Sequence, residues 1–287
     1  MSNALGLEYS QRPARRTFVH HGLSFGSLLS RCGAKSWTAL PRSMRFVLSR
    51  LDGWLFAMAW TRALIKPYCH WQFGGTAVLA RYQPGSGSEH YHSFQDFFTR
   101  RLRALPLITS AMIWPCDGIL CDIVELDSSE QVVAVKGESL PLRRVFGAAA
   151  ANIPTGYFYT NVFLHNRDYH RVHSPVAGRI VAIEHIRGDL LLLRPWLNPG
   201  APSRPAITNE RVIISLKAED GHMWYLAIVG GPGVATIKLH LETRVDGLMA
   251  TGQEVAWFEI GSTCCVAAPV PPRGQVPGHV QFGNPYS

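Results

Sequence analysis

Arg211-Val212-Ile213-Ile214-Ser215-Leu216, Trp224-Tyr225-Leu226-Ala227-Ile228-Val229 and Val234-Ala235-Thr236-Ile237-Lys238-Leu239 follow one another closely, and their texture decides the fold class. Each is a short run rich in β-branched and aromatic side chains, bounded by glycines and a proline such as Gly230-Gly231-Pro232-Gly233. Working outward, Gly178–Ile183, Leu190–Leu193 and Val255–Ile260 have the same character, so the chain beyond Ile119 reads as short strands separated by turns. Upstream the pattern changes. From about Pro41 to Tyr68, Phe46, Leu51, Leu55 and Met58 recur at helical spacing with Arg42, Arg45, Arg50 and Arg62 between them. The expected class is α+β: a helical, basic N-terminal segment followed by a β-rich domain.

Composition sets the bounds. A chain of 287 residues that is 47% hydrophobic can bury a substantial core. The net charge is +8, and only five of its 28 basic residues are lysine. Such a surface favours anionic partners. Anionic lipid ranks above nucleic acid, because no zinc-finger spacing, RNP-like strand or basic heptad repeat is present. Six cysteines without CxxC spacing argue against a disulfide scaffold or a zinc site, and Cys264-Cys265 cannot both point into one core from a strand.

No apolar h-region follows Met1, and the longest apolar run, Trp54–Trp60, is far short of the roughly 20 residues a spanning helix needs. Between Glu8 and Asp52 there is no acidic residue. That segment reads as a transit peptide, a loose basic tail or an amphipathic segment on an anionic membrane, and its helical part reads equally as an ordinary core-facing helix.

Four motifs bear on chemistry. Gly22-Leu23-Ser24-Phe25-Gly26 matches a hydrolase nucleophile elbow, but no run of strands and no oxyanion segment precedes it. Gly230-Gly231-Pro232-Gly233 lacks the Lys-Ser/Thr of a phosphate loop; it reads as a turn, or as a place where backbone approaches a reacting centre. In Phe163–Gly178, His170 and His173 lie among Arg167, Asp168 and Arg171; with no third ligand nearby, acid/base use is favoured over a metal. Gly261-Ser262-Thr263 alone reads as a turn.

Taken in order, Phe97-Phe98-Thr99-Arg100-Arg101-Leu102, Pro115-Cys116-Asp117-Gly118, Lys136-Gly137, Asp168-Tyr169-His170-Arg171-Val172-His173-Ser174-Pro175, Asn209-Glu210-Arg211-Val212 and Gly261-Ser262-Thr263 resemble the phosphatidylserine decarboxylase proenzymes. The resemblance covers about Phe94 to Val266, and the basic helical part is similar to that family's membrane-binding helices. It implies self-cleavage between Gly261 and Ser262, in which Asp117 orients His173 and His173 deprotonates Ser262. It further implies that Ser262 becomes a covalent pyruvoyl group, with pyruvate thus the cofactor, no metal, and Schiff-base chemistry on the substrate amine. His170 is the candidate proton donor in decarboxylation. Asp168 and Arg171 either set its orientation or bridge strands.

The implied function is conversion of phosphatidylserine to phosphatidylethanolamine; decarboxylation of a free amino acid, or a non-processing membrane-bound relative, are the alternatives. The implied organisation is a basic segment over 1–36, a helical membrane-association segment over 37–82 and a decarboxylase domain over 94–287, cut into chains 1–261 and 262–287 that stay together, with a higher oligomer left open. Phosphatidylserine and an anionic membrane are the implied partners. The expected location is peripheral, on the cytoplasmic face of a bacterial inner membrane or else on the mitochondrial inner membrane. Leu140-Pro141, Pro106-Leu107, Ile260 and Gly231 depart from the family pattern, and bear on head-group contacts and packing rather than on the cleavage residues.

Overall fold

Every residue of Ser262–Ala268 is buried, which requires a strand covered on both faces, and that strand lies at the centre of the protein. The computed structural model describes residues 36–37, 39–127, 131–134, 138–192, 207–231, 236–259 and 261–287. Its strands are β1 (Tyr82–Gln83), β2 (Arg101–Leu102), β3 (Gly118–Glu125), β4 (Gln131–Ala134), β5 (Glu138–Pro141), β6 (Phe158–Leu164), β7 (Arg171–His173) and β8 (Gly178–Ile186). They continue with β9 (Arg211–Ala218), β10 (Met223–Gly230), β11 (Ile237–Leu239), β12 (Leu248–Met249), β13 (Glu254–Phe258), β14 (Ser262–Ala268) and β15 (Gly278–Val280). The α-helices are α1 (Arg42–Ala57), α2 (Ile65–Phe73), α3 (Phe94–Phe98) and α4 (Leu142–Phe146). The two longer helices come first and the main sheet follows, with α4 inserted among its strands, so the fold is α+β.

The main sheet runs β12-β8-β9-β10-β14-β6-β3-β15, with antiparallel neighbours throughout. A second sheet, β11-β13-β7, packs on one face. Its Val172, Val255, Ala256 and Phe258 share a core with Cys264, Val266 and Ala268 of β14. On the other face α4 and the turn after it bring Leu142, Val145, Phe146 and Ala150 against Cys265 and Ala267. Period-two alternation therefore sends Cys264 and Cys265 into two different cores. The five described cysteines are free thiols.

Two segments differ from expectation. Leu190–Leu192 form no strand: the Asn209 side chain accepts from the Leu191 N–H and donates to its carbonyl, both at 2.9 Å, and so takes the place of a strand partner. The helical run from Pro41 to Tyr68 is broken at Met58, whose extended backbone ends α1. A 3-10 segment follows, and α2 restarts with Pro67 in its first turn, where a missing N–H is tolerated.

The buried residues of α1 are Arg45 and Ser49, whereas Met44, Phe46, Val47, Leu51 and Trp54 are exposed. Polar contacts tie the helix down: Arg45 pairs with Asp189 at 2.6 Å, Arg42 donates to the Gly188 carbonyl, and Trp37 donates to the Leu190 carbonyl. No helix among the described residues is long and apolar enough to cross a membrane. The basic stretch over 1–36 lies outside the described residues except for Ser36, as do the Gly22–Gly26 motif and Ile260.

Candidate active site

Ser262 opens β14 and is held between two strands, opposite Gly230 of β10 and Leu164 of β6. Cys264, Val266 and Ala268 face the core shared with the small sheet, so alternation turns the Ser262 side chain the same way. Its hydroxyl is buried and has no hydrogen-bond partner. Leaving such a group unpaired costs about 1–3 kcal/mol, and a cost of that kind is kept where function needs it.

The residue before it is built for close approach. Gly261 has φ +42°, a left-handed conformation that a side chain would strain. A Cβ on Gly231 would stand 2.9 Å from the Gly261 carbonyl oxygen and 3.0 Å from its Cα. Gly231, expected from the sequence to bear on packing rather than on the cleavage residues, instead lies against Gly261, and its lack of a side chain leaves the bond between Gly261 and Ser262 uncrowded. Gly230 is fixed in turn by Asn209, which donates to its carbonyl at 2.9 Å, and by the Glu210 carbonyl, which accepts its N–H.

The two histidines lie in extended chain rather than in a helix, so their odd spacing turns them to opposite faces. Val172 lies in the inter-sheet core and Phe258 of that core donates its N–H to the His170 carbonyl, which places His170 on Ser262's side of the small sheet. Its Nδ1 donates to the Asp168 carbonyl at 2.9 Å, and Nε2 is buried without a partner. Burial, with the Arg100 guanidinium nearby, pushes its pKa down to about 3, so the ring is neutral with an open basic nitrogen.

His173 lies on the other face. Its ring stacks on Phe282 with centroids 3.6 Å apart, Nδ1 donates to the Gly252 carbonyl at 2.8 Å, and Nε2 accepts from the Tyr169 hydroxyl at 3.2 Å. A carbonyl can only accept, so Nδ1 carries the proton and Nε2 is the basic atom. Burial pushes this pKa down to about 3 as well.

Asp117 accepts the Phe282 N–H at 2.8 Å, while burial and the neighbouring Asp168 raise its pKa to about 6. Asp117, His173 and Ser262 do not form the hydrogen-bonded relay expected from the sequence: Gly252 and Tyr169 occupy the His173 ring nitrogens, and Asp117 accepts the Phe282 N–H instead. The tautomer-setting role expected of Asp117 is filled by the Gly252 carbonyl.

Several site residues had no assigned role in the sequence. Arg100 is completely buried; it donates to the Asp168 carbonyl at 2.7 Å and lies over the Tyr82 ring. Arg171, expected either to orient His170 or to bridge strands, pairs with Glu254 of β13 and donates to the Thr99 and Arg100 carbonyls, so it ties β7 to β13 and to the segment after α3. Arg100 and Asn209 lay inside quoted motifs. Phe282 and His279 carried no local signal, because they meet their partners only through the fold.

A family model described as "Phosphatidylserine decarboxylase" matches residues 94–285. A protein of Variovorax paradoxus named phosphatidylserine decarboxylase proenzyme is 30% identical over 208 residues, 65% of this chain and 72% of that one. Proteins of the same name from Polaromonas naphthalenivorans and Chromobacterium violaceum are each 28% identical, over 82% and 75% of this chain and 85% and 87% of their own length. With a match that spans the whole β-rich part, from α3 to the residues after β15, this chain belongs to the phosphatidylserine decarboxylase family and is a decarboxylase.

Proposed function

We propose that the chain cuts itself between Gly261 and Ser262 and uses the pyruvoyl group made from Ser262 to convert phosphatidylserine to phosphatidylethanolamine. One observation carries the reading: a buried, unpaired serine hydroxyl follows a left-handed glycine, beside a second glycine whose Cβ would crowd the bond to be cut. These residues fit a serine-derived group at the head of β14. Relatives carrying the name proenzyme support processing.

His173 is the base for Ser262, with Nε2 unprotonated and Nδ1 anchored on Gly252. The role requires the His173 ring, held on the face away from Ser262, to leave the Tyr169 hydroxyl and turn across to that of Ser262. Asp117, beside Phe282, supplies negative charge to the rearranged ring. A second reading gives the base role to His170, and its unpartnered Nε2 on Ser262's side of the small sheet favours it.

Ser262 would carry the pyruvoyl group, whose carbonyl would supply a sink for the electrons of the bond to carbon dioxide. His170, neutral and open at Nε2, takes a proton from the substrate ammonium there and returns it to carbon. The packed cores on both sides of β14 shield the reacting atoms from bulk solvent, while the hydrolytic steps that form the pyruvoyl group and free the product still require water to reach the head of the strand.

The lipid substrate is supported by α1 and the residues after it. Trp54, Trp60 and Trp71 are exposed among the exposed cations Arg50, Arg62 and Lys66, a composition suited to the interface of an anionic bilayer. The reading includes peripheral attachment to a bacterial inner membrane, with the two processed chains kept together by the β10-β14-β6 pairing. Purified protein is expected to release carbon dioxide from phosphatidylserine vesicles and not from free aromatic amino acids. The reverse preference would transfer the reading to a soluble substrate.

A further inference from the structure

β15 forms the edge of the main sheet beside β3, with His279 opposite Ile119. From this edge His279 Nε2 reaches Asp168 Oδ1 at 3.3 Å. Phe282, three residues on, donates to Asp117 and stacks on His173. The segment beyond the cleavage point thus contacts large-chain residues around both histidines.

Asp168 is held at two ends. Its carboxylate accepts the His165 N–H at 2.8 Å and the contact from His279; its carbonyl accepts His170 Nδ1 and Arg100 Nη2. The carboxylate is almost fully buried, so the attraction is weakly screened on that side. Asp168 and Asp117 face His279 and favour its protonation, whereas Arg167 opposes it; Arg100 faces Asp117.

We propose that His279 is a positioning residue for His170: it holds Asp168 so that the Asp168 carbonyl keeps His170 Nδ1 bonded and Nε2 open. The inference rests on the decarboxylation reading above. It makes the acid/base histidine of the large chain depend on a contact from the pyruvoyl-bearing chain. Without His279, the Asp168 carboxylate is left with the His165 N–H and the Arg167 guanidinium at 3.9 Å, and its charge raises the His170 pKa against the opposing pull of Arg100 and His165.

The test uses full-length His279→Gln and His279→Lys on phosphatidylserine vesicles, with rates taken per cleaved chain counted on a denaturing gel. In the glutamine variant kcat is expected to fall about tenfold with KM little changed, and the acid limb of the rate to move to higher pH. Lysine, which returns a cation, is expected to move that limb back toward its wild-type position. A glutamine variant with the wild-type rate and pH profile would overturn the proposal, as would an equal loss in both variants without a pH shift.

Unfolding measured against pH gives a readout independent of activity. The His279 pKa is raised on folding, so its contribution is complete below its ordinary value near 6.5 and disappears as pH rises through the folded value. The Asp168 pKa is lowered, so its contribution is present above about 3.8 and is lost as pH falls. The stability gap between wild type and His279→Gln is therefore expected to be widest at about pH 5 and to close in alkali. A gap that does not vary with pH would remove the ion pair. A wild-type chain that stays whole overturns the proposed function instead, and is seen before any variant is made.

Discussion

β14 and α1 are both rich in apolar side chains, yet they are treated in opposite ways. All seven residues of β14 are buried, whereas the 16 residues of α1 bury only Arg45 and Ser49. In β14 the backbone is paired on both sides and the side chains fill two cores, so the strand is complete within the chain. In α1 the polar side is anchored to Gly188 and Asp189, and the apolar side faces outward. On the proposed reading, the exposed apolar side of α1 is completed by an anionic lipid surface. The difference sets a strand sealed from bulk solvent, where the proposed cut lies, against an exposed apolar surface, where the proposed reading places the lipid.

The largest effect should come from the head of β14. Ser262→Ala is expected to stay at the full 31.8 kDa and to show no decarboxylation above background, read by gel and by carbon dioxide release. Cleavage of this variant would break the assignment of the interior site. Next, His173→Ala is expected to stay uncleaved, whereas His170→Ala should still cut itself and lose about 100-fold in decarboxylation per cleaved chain. The opposite cleavage pattern on the same gel would favour His170 as the base.

A matched pair of leucines sharpens the contrast further. Leu226→Ala, in the buried β10, should lower the unfolding free energy by about 2–5 kcal/mol, while Leu51→Ala on α1 should change it by less than about 0.5 kcal/mol. Replacing Leu51 and Trp54 together with serine should instead weaken binding to anionic vesicles about tenfold, measured by flotation. A loss of stability in place of vesicle binding would mean that α1 is covered by protein.

The smallest effect concerns acid. His170 is held neutral in the folded protein but takes up a proton on unfolding below about pH 6.5, so stability falls as the solution is acidified towards pH 3. His170→Phe should flatten that fall by about 1 kcal/mol per pH unit in urea titrations. An unchanged slope would mean that this histidine is not buried neutral. Asp117, raised to about 6, works in the opposite sense between about pH 6 and 4.

Much of this arrangement was legible in residue order. Alternation and turn residues marked β8, β9, β10, β11 and β13, because a half- or fully buried strand must carry that texture. Leu190–Leu192 misled because a buried Asn209 can take the place of a strand partner, and no local pattern reports a side chain 18 residues away. The helical pattern near Pro41 was visible, but which of its faces is buried was not, since Arg45 is drawn inward by the distant Asp189. In the site, Asp117, His170, His173 and Ser262 stood out as reactive types inside motifs. Their hydrogen-bond partners did not: Gly252 acts through its carbonyl, and Phe282 and His279 are ordinary residues until the sheet edge sets them beside β7 and its flanking loop.

The central claim is that the bond between Gly261 and Ser262 does not survive in the mature protein. Intact-mass analysis of the purified chain under denaturing conditions tests it most directly. The account predicts two species, one ending at Gly261 and one beginning with a blocked residue derived from Ser262. A single species of 31.8 kDa with a free serine at position 262 would contradict it.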